Sequence, residues 1–371
     1  MSSPLVFRKA SIFCYRIFDI ADEIELESAQ KILSADARRL RLSREGSQYL
    51  ELPNPPLAIE LGKKNLSLRD GPCAVDAVAR VFDHGGASVI LKVPVAPGIE
   101  IEPLIALADE LYDSKAVDKL CLELLEPLRR VLAPAIQGAH LWDQSESYTV
   151  IFVERIDGDP PAKEIEDRVE LARLLLGEVE SQPLSEYERK QVTQHRFSYR
   201  ETDLVIVDWN SAFVYEPSGS SDIPDILEIC NAQLLEFRFY DNLLDTNIRR
   251  IYAEVQRKRR SWYSILRSPY SLLARRVLAM NLEMSEFVER VENSLKIIAD
   301  FYLAKVYEAS LRRLRIPAWQ ASVTRKQQML AQVYQLLKGD VDINRSLTLE
   351  FTIVVLIVTE LVLGVVSILS R

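Results

Sequence analysis

The chain has 371 residues, with 46 basic and 54 acidic side chains and a net charge of −8. Apolar residues make up 48% and charged residues 27%, which excludes a disordered polyelectrolyte and leaves chain for two or three folded units. Glycine is scarce at 12 residues, where an average usage of about 7% would give roughly 26, so glycine-rich phosphate cradles are disfavoured and long helices favoured. Cys14, Cys73, Cys121 and Cys230 show no paired spacing, which fits a reducing compartment and excludes a disulfide scaffold.

From Ser11 to about Tyr215 the pattern is mixed. Strand character at Ala10–Phe18 is followed by a hairpin, Leu40–Arg44 and Gln48–Leu52 around Glu45-Gly46-Ser47, and by an extended piece at Leu57–Leu61. Ala77–Phe82 and Ala87–Val93 flank Asp83-His84-Gly85-Gly86, a hairpin turn. Helices are predicted at Glu102–Tyr112 and Val117–Leu132, the second with Pro127 as a source of kinking. A strand at Thr149–Val153, helices at Val169–Leu176 and Ser185–Gln194, and a strand pair, Leu204–Val207 and Ala212–Tyr215, complete an α+β domain over residues 1–217.

After Pro217–Asp222 the period becomes helical. One helix is expected from Asp222 to about Arg260, and a second from Pro269 to about Arg315. In the second helix Leu273, Val277, Met280, Met284, Phe287 and Val291 alternate steps of four and three, a heptad seam that Ile298 continues after a stutter. A third helix, about Trp319 to Lys338, leads through Gly339-Asp340 into the last segment. Residues 222–345 are thus expected to form an antiparallel, coiled-coil-like stalk.

Residues 347–370 contain the strongest signal. Phe351–Leu369 reads FTIVVLIVTELVLGVVSIL, with Glu360 as its single charge. As a helix it is about 28 Å long, close to the hydrocarbon thickness of a bilayer. No apolar export signal occurs near the N-terminus, so the expectation is a tail-anchored, single-pass membrane protein with its bulk in the cytoplasm. An ionised Glu360 costs at least about 2.5 kcal/mol mid-span. It is either a helix–helix or proton-linked contact, or a neutral acid tolerated in a lone span.

Chemical motifs are sparse. Neither GxGxxG nor GxxxxGK[ST] occurs, no GxSxG elbow exists, and cysteine and histidine never meet at metal-ligand spacing. No cofactor, metal or small-molecule substrate is expected. His84 and Asp157-Gly158-Asp159 read as turns. Asp203 and Asp208 could form an acid–base pair, which would make the chain a membrane-bound hydrolase or nuclease. The competing reading is a hairpin with Asp208 and Asn210 at its turn and Trp209 packed beneath.

The basic cluster is more informative. Between Arg249 and Arg276 lie nine Lys/Arg and one acid, Glu254. Arg257-Lys258-Arg259-Arg260 runs into Trp262, with Arg267 nearby, a mixture that suits anionic headgroups or nucleic acid. A solvated helix end gives the same pattern. Because the next helices lead back toward the apolar segment, anionic lipid ranks above nucleic acid.

Asp203-Leu-Val-Ile-Val-Asp-Trp-Asn-Ser-Ala-Phe-Val-Tyr215, Asn231-Ala-Gln-Leu-Leu-Glu-Phe-Arg-Phe-Tyr-Asp241, and Leu349-Glu350 before an apolar tail carrying Glu360 together resemble the family named for requirement in meiotic nuclear division. The turn at Asp83–Gly86 is similar to that family's early segment. The resemblance implies a membrane-anchored protein with a cytoplasmic or matrix α/β domain and a coiled-coil-like stalk. It brings no catalytic residues. One animal member is implicated in supporting mitochondrial translation by holding ribosomes or messenger RNA near a membrane. Acidic residues among the first thirty positions do not fit a transit peptide, so the resemblance points to a bacterial member in the inner membrane.

The expected function is a non-enzymatic scaffold or tether. Its stalk makes it a homo-oligomer, and its basic turn meets membrane lipid, a ribosome or RNA. Replacing both Met280 and Phe287 with Asp is expected to lower helicity and dissociate the oligomer, because buried unpaired charge is strongly destabilising. Unchanged circular dichroism and sedimentation would show the seam to be misassigned.

Overall fold

The computed structural model describes residues 4–33, 37–39, 54–166, 168–179, 184–258, 271–294 and 301–369. The chain opens with β1 (Val6–Asp19), β2 (Glu23–Ile24), α1 (Leu26–Leu33), β3 (Ala37–Arg39), β4 (Leu57–Leu68), β5 (Gly71–Val81) and β6 (Gly86–Pro94). β7 (Ile99–Glu100) leads into α2 (Ile101–Tyr112), α3 (Lys115–Leu132), β8 (Ile136–Gln137) and β9 (Ser145–Ile156). Next come α4 (Ala162–Glu166), α5 (Val169–Leu176), α6 (Glu186–Val192), β10 (Arg196–Phe197), β11 (Leu204–Val207) and β12 (Ser211–Tyr215). The remainder is helical: α7 (Asp222–Lys258), α8 (Ser271–Ser294), α9 (Phe301–Arg313) and α10 (Ile316–Leu369). The architecture is α+β with a helical C-terminal region. The hairpin expected at Leu40–Leu52 lies outside the described residues.

One large sheet runs in the order β10-β11-β12-β9-β1-β6-β5-β4-β3. β1 is central, antiparallel to β6 on one side and to β9 on the other, while β12 joins β9 in parallel. A parallel partner cannot be reached by a tight turn, and the connection from β9 to β12 runs through α4, α5, α6 and the β10–β11 pair.

Pleat alternation divides the sheet's side chains between two faces. Cys14, Ala79, Val89, Leu91 and Ile151 share a core with Leu104 and Ala108 of α2 and Val117 and Cys121 of α3. Their alternates point the other way, where Ile17 and Phe82 pack on Ala232 and Leu235 of α7. Pro127 is accommodated within α3, which continues to Leu132.

The β5–β6 turn holds β1 in place. Gly85 has φ +96°, and Ile20 N–H donates to its carbonyl at 3.1 Å. A Cβ at this glycine would lie 1.7 Å from Ala21 O, so both conformation and space demand glycine here.

The chain divides into two units, Met1–Phe239 with Asn293–Trp319, and Tyr240–Glu292 with Gln320–Arg371. Asp222–Phe239 and α9, expected in the stalk, therefore cluster with the sheet. In the second unit Leu244 and Ile251, and likewise Val323, Leu330 and Leu337, are buried at seven-residue spacing. Lys326 bridges Asp241 and Asp245 at 2.8 and 2.7 Å, and Gln327 donates to Ser285 Oγ at 2.8 Å. Leu273 and Val277 are buried and Met280 is half-buried. The side chains of Met284, Phe287 and Val291, and all of Ile298, lie outside the described residues.

The helix expected between Pro269 and Arg315 is described as α8 and α9, and residues 295–300 between them lie outside the described set. The third helix, expected to end at about Lys338, continues through Gly339-Asp340 as part of α10. A lone glycine costs a helix only about 1 kcal/mol relative to alanine, too little to interrupt one this long. Gly85→Ala is expected to destabilise the sheet domain by at least about 2 kcal/mol, read as a fall in the denaturation midpoint.

Candidate functional site

Three features are candidates for function: the buried polar contacts of the sheet domain, the surface around β11 and α9, and the apolar part of α10.

Arg80 lies on β5 between Ala79 and Val81, so the pleat turns it away from the α2–α3 core. Its side chain is only 10% exposed and pairs with Asp225 at 2.6 Å and with Glu228, both on α7. One cation against two carboxylates leaves an excess negative charge in a dry site. Burial pushes the Glu228 carboxyl above its ordinary range, against the opposing pull of Arg80. Further along α7, Glu236 lies 3.4 Å from His84 Nδ1, and Arg238 bonds Glu146 and Gln144.

The His84 ring stacks on Phe82 with centroids 5.2 Å apart, and the adjoining Asp83 accepts from Asn54 at 2.9 Å. This matches the turn reading. His140 bonds Asp19 Oδ1 at 3.0 Å and Gly138 O at 2.9 Å, and its ring stacks on Phe239. Two acceptors favour its charged form, and the Asp19 bond above all raises its pKa. Asp157 is held by Arg8 through two bonds, at 3.1 and 2.9 Å, which keeps its carboxyl low.

The two carboxylates that an enzyme would have used do not converge. Asp203 and Asp208 flank β11 at opposite ends, roughly 16 Å apart along an extended strand. Asp203 accepts from the backbone N–H groups of Tyr199 and Arg200, at 2.6 and 3.0 Å, and closes its own loop. Asp208 is buried against Arg313 of α9, whose Nε donates at 2.9 Å. The expectation of an Asp208 satisfied within its turn is thus corrected, because its partner lies 105 residues away. Trp209, expected beneath the turn, is instead 48% exposed, with the Arg315 guanidinium 5.7 Å from its ring centroid. Desolvation, followed by the charges of Arg313 and Arg312, lowers the pKa of His195.

The basic turn lies largely beyond description. Arg257 and Lys258 end α7, their side chains lie outside the described residues, and so do Arg259, Arg260, Trp262 and Arg267 altogether.

In α10 every residue from Phe351 to Val366 is exposed. The Thr352 and Thr359 hydroxyls donate to the carbonyls of Thr348 and Val355, so neither is left unsatisfied. Among the described residues Glu360 has no hydrogen-bonding or ionic partner.

These features define the class: an α+β protein with, among the described residues, one helix long and apolar enough to cross a membrane. Residues 9–222 match the family described as "Uncharacterized protein MJ0711, N-terminal domain", and the chain belongs to that family. A relative, the uncharacterised protein MJ0711 of Methanocaldococcus jannaschii, is 26% identical over 225 residues, which cover 60% of this chain and 67% of the relative. No solved structure matches. The family match takes in the sheet from within β1 onward and stops at the start of α7, so most of the helical region lies beyond it.

Neither Arg80 nor its acidic partners were singled out from sequence. The available signal was an arginine in the apolar run of β5, together with acids at three-residue steps, Asp222, Asp225 and Glu228, opening a long helix. Glu228 binds its proton more tightly folded than unfolded. Its contribution is therefore complete below its ordinary value of 4.5 and is lost as pH rises through the folded value. Glu228→Gln removes that dependence, so its stability relative to the parent is expected to improve as pH rises above 4.5 in urea titrations. A pH-independent difference would assign Glu228 no shift.

Proposed function

We propose that the protein is a single-pass membrane tether in which α10 crosses the bilayer and ties the sheet domain to it. The observation supporting this reading is the exposure of α10 on all sides from Phe351 to Val366. A helix at the surface of a soluble domain keeps an apolar stripe and a polar face. Apart from Glu360 this one is apolar all round, and its threonine hydroxyls are satisfied within the helix, as a hydrocarbon solvent requires.

The folded bulk is assigned to the cytoplasm. All four cysteines are free thiols, three of them buried, which suits a reducing compartment. Lys338 before the span agrees in sign. The protein is further read as a homo-oligomer, held by a helix partner for Glu360, while Leu273 and Val277, buried within the single chain, pack the stalk itself. Arg257–Arg260, Trp262 and Arg267 are assigned to anionic lipid. The resemblance to the meiotic nuclear division family adds a ribosome or RNA as cargo.

Carbonate washing of membranes tests the anchor. The full chain is expected to remain in the pellet, and a chain ending at residue 345 to move to the supernatant. Release of the full chain by carbonate would refute the reading. Changing Arg257, Lys258, Arg259 and Arg260 to Glu is expected to abolish flotation of the shortened chain with phosphatidylglycerol vesicles. Equal flotation with phosphatidylcholine vesicles would remove the lipid role of the turn.

A further inference from the structure

Along α9 the exposed positions are Phe301, Lys305, Glu308 and Arg312, followed by Arg315 just beyond the helix, in steps of four, three, four and three. They form one solvent face. No aliphatic side chain is among them, so this is not a face built to enter hydrocarbon. Residues 301–315 carry four cations, Lys305, Arg312, Arg313 and Arg315, against the single acid Glu308, in a protein whose net charge is −8.

The cations are arranged on rings. Lys305 Nζ lies 4.2 Å from the Phe301 centroid, and Arg315 lies over Trp209. A third exposed ring, Tyr199, leans on Tyr302 with centroids 5.4 Å apart. Phe301 is 75% exposed and Tyr199 59%, so both offer open ring surface. Tyr302 and Arg313 are separated by about 16 Å of helix.

The charges differ in availability. Arg313 is occupied by buried Asp208, and Arg312 shares an exposed pair with Glu308 at 2.7 Å. Arg315 has no carboxylate partner among the described residues. It is also held in an uncommon backbone conformation, φ +55°, with its carbonyl accepting from Ala318 and Trp319 at the start of α10. A non-glycine residue in that region is sparsely populated and belongs where surrounding structure imposes it.

We infer that this face is a contact surface for single-stranded nucleic acid, with Trp209 and Tyr199 stacking on bases and Arg315, Arg312 and Lys305 meeting phosphates. Paired rings and cations along a track suit a strand whose bases are flat and whose backbone is anionic. An acidic peptide offers the charge but nothing planar to cover three rings. The surface uses no residue of the apolar part of α10, so its failure leaves the membrane reading standing.

The test is fluorescence anisotropy of a labelled uridine RNA about 15 nucleotides long, titrated with the full chain in detergent. Affinity is expected to fall steeply between about 50 and 200 mM salt. Arg315→Gly removes the guanidinium and suits the positive φ, so it is expected to keep the unfolding midpoint or raise it while weakening RNA binding about tenfold. Trp209→Leu is expected to weaken binding similarly, and Trp209→Phe to retain most of it. No binding by the parent, unchanged affinity in both Arg315→Gly and Trp209→Leu, or loss only of binding to phosphatidylglycerol vesicles would each overturn the assignment.

Discussion

Arg80 takes a positive charge into the side of the sheet that faces α7, and there Asp225 and Glu228 meet it. An isolated guanidinium in that position would be prohibitive, and so would two isolated carboxylates. Each partner makes the burial of the others tolerable, and together they fix where the first turns of α7 sit on β5. Ile17, Phe82, Ala232 and Leu235 supply apolar contact on the same face, but apolar contact alone is weakly directional. The ionic contact is directional, since a shift of one residue along either element separates the charges. The face beyond it, with Arg238 on Glu146 and Tyr307 donating to Gln233, inherits that register.

Much of the sheet was legible because local rules decide it. The turn at Asp83–Gly86 has residues that suit few other conformations, and the strands on either side alternate or run apolar as buried strands do. The β11–β12 pair and helices α2, α3 and α5 follow from short-range periodicity. The parallel pairing of β12 with β9 was not legible, because it depends on a connection of more than fifty residues and leaves no local mark. The continuity of α10 through Gly339 was also missed, since glycine in the sequence marks a weak point whether or not the helix breaks there.

Sites were less legible than elements for the same reason. Asp208 looked like turn chemistry because its sequence neighbours are turn formers, whereas its partner, Arg313, arrives from a helix far along the chain. Trp209 reads as a core residue by composition. It is half exposed because the turn that carries it ends at the sheet's margin, where Arg315 rather than apolar packing meets the ring. The basic turn was conspicuous in sequence through its density of like charge. The α9 face is not conspicuous, because its cations are spaced at helical intervals and interleaved with buried positions.

The reliance of Asp208 on Arg313 also bears on biosynthesis. The sheet domain is discontinuous in sequence, interrupted by Tyr240–Glu292, so a nascent chain that already holds β1 to β12 still lacks the cation for a buried carboxylate. Only when α9 has left the ribosome can that wing of the sheet close. Phe351 lies 36 residues after Arg315, which at about 5–20 residues per second is about 2–7 s of synthesis. The domain must therefore mature in the short interval before the most aggregation-prone stretch of the chain emerges, and slowing α9 docking would lengthen the overlap between an unfinished sheet and a naked apolar helix.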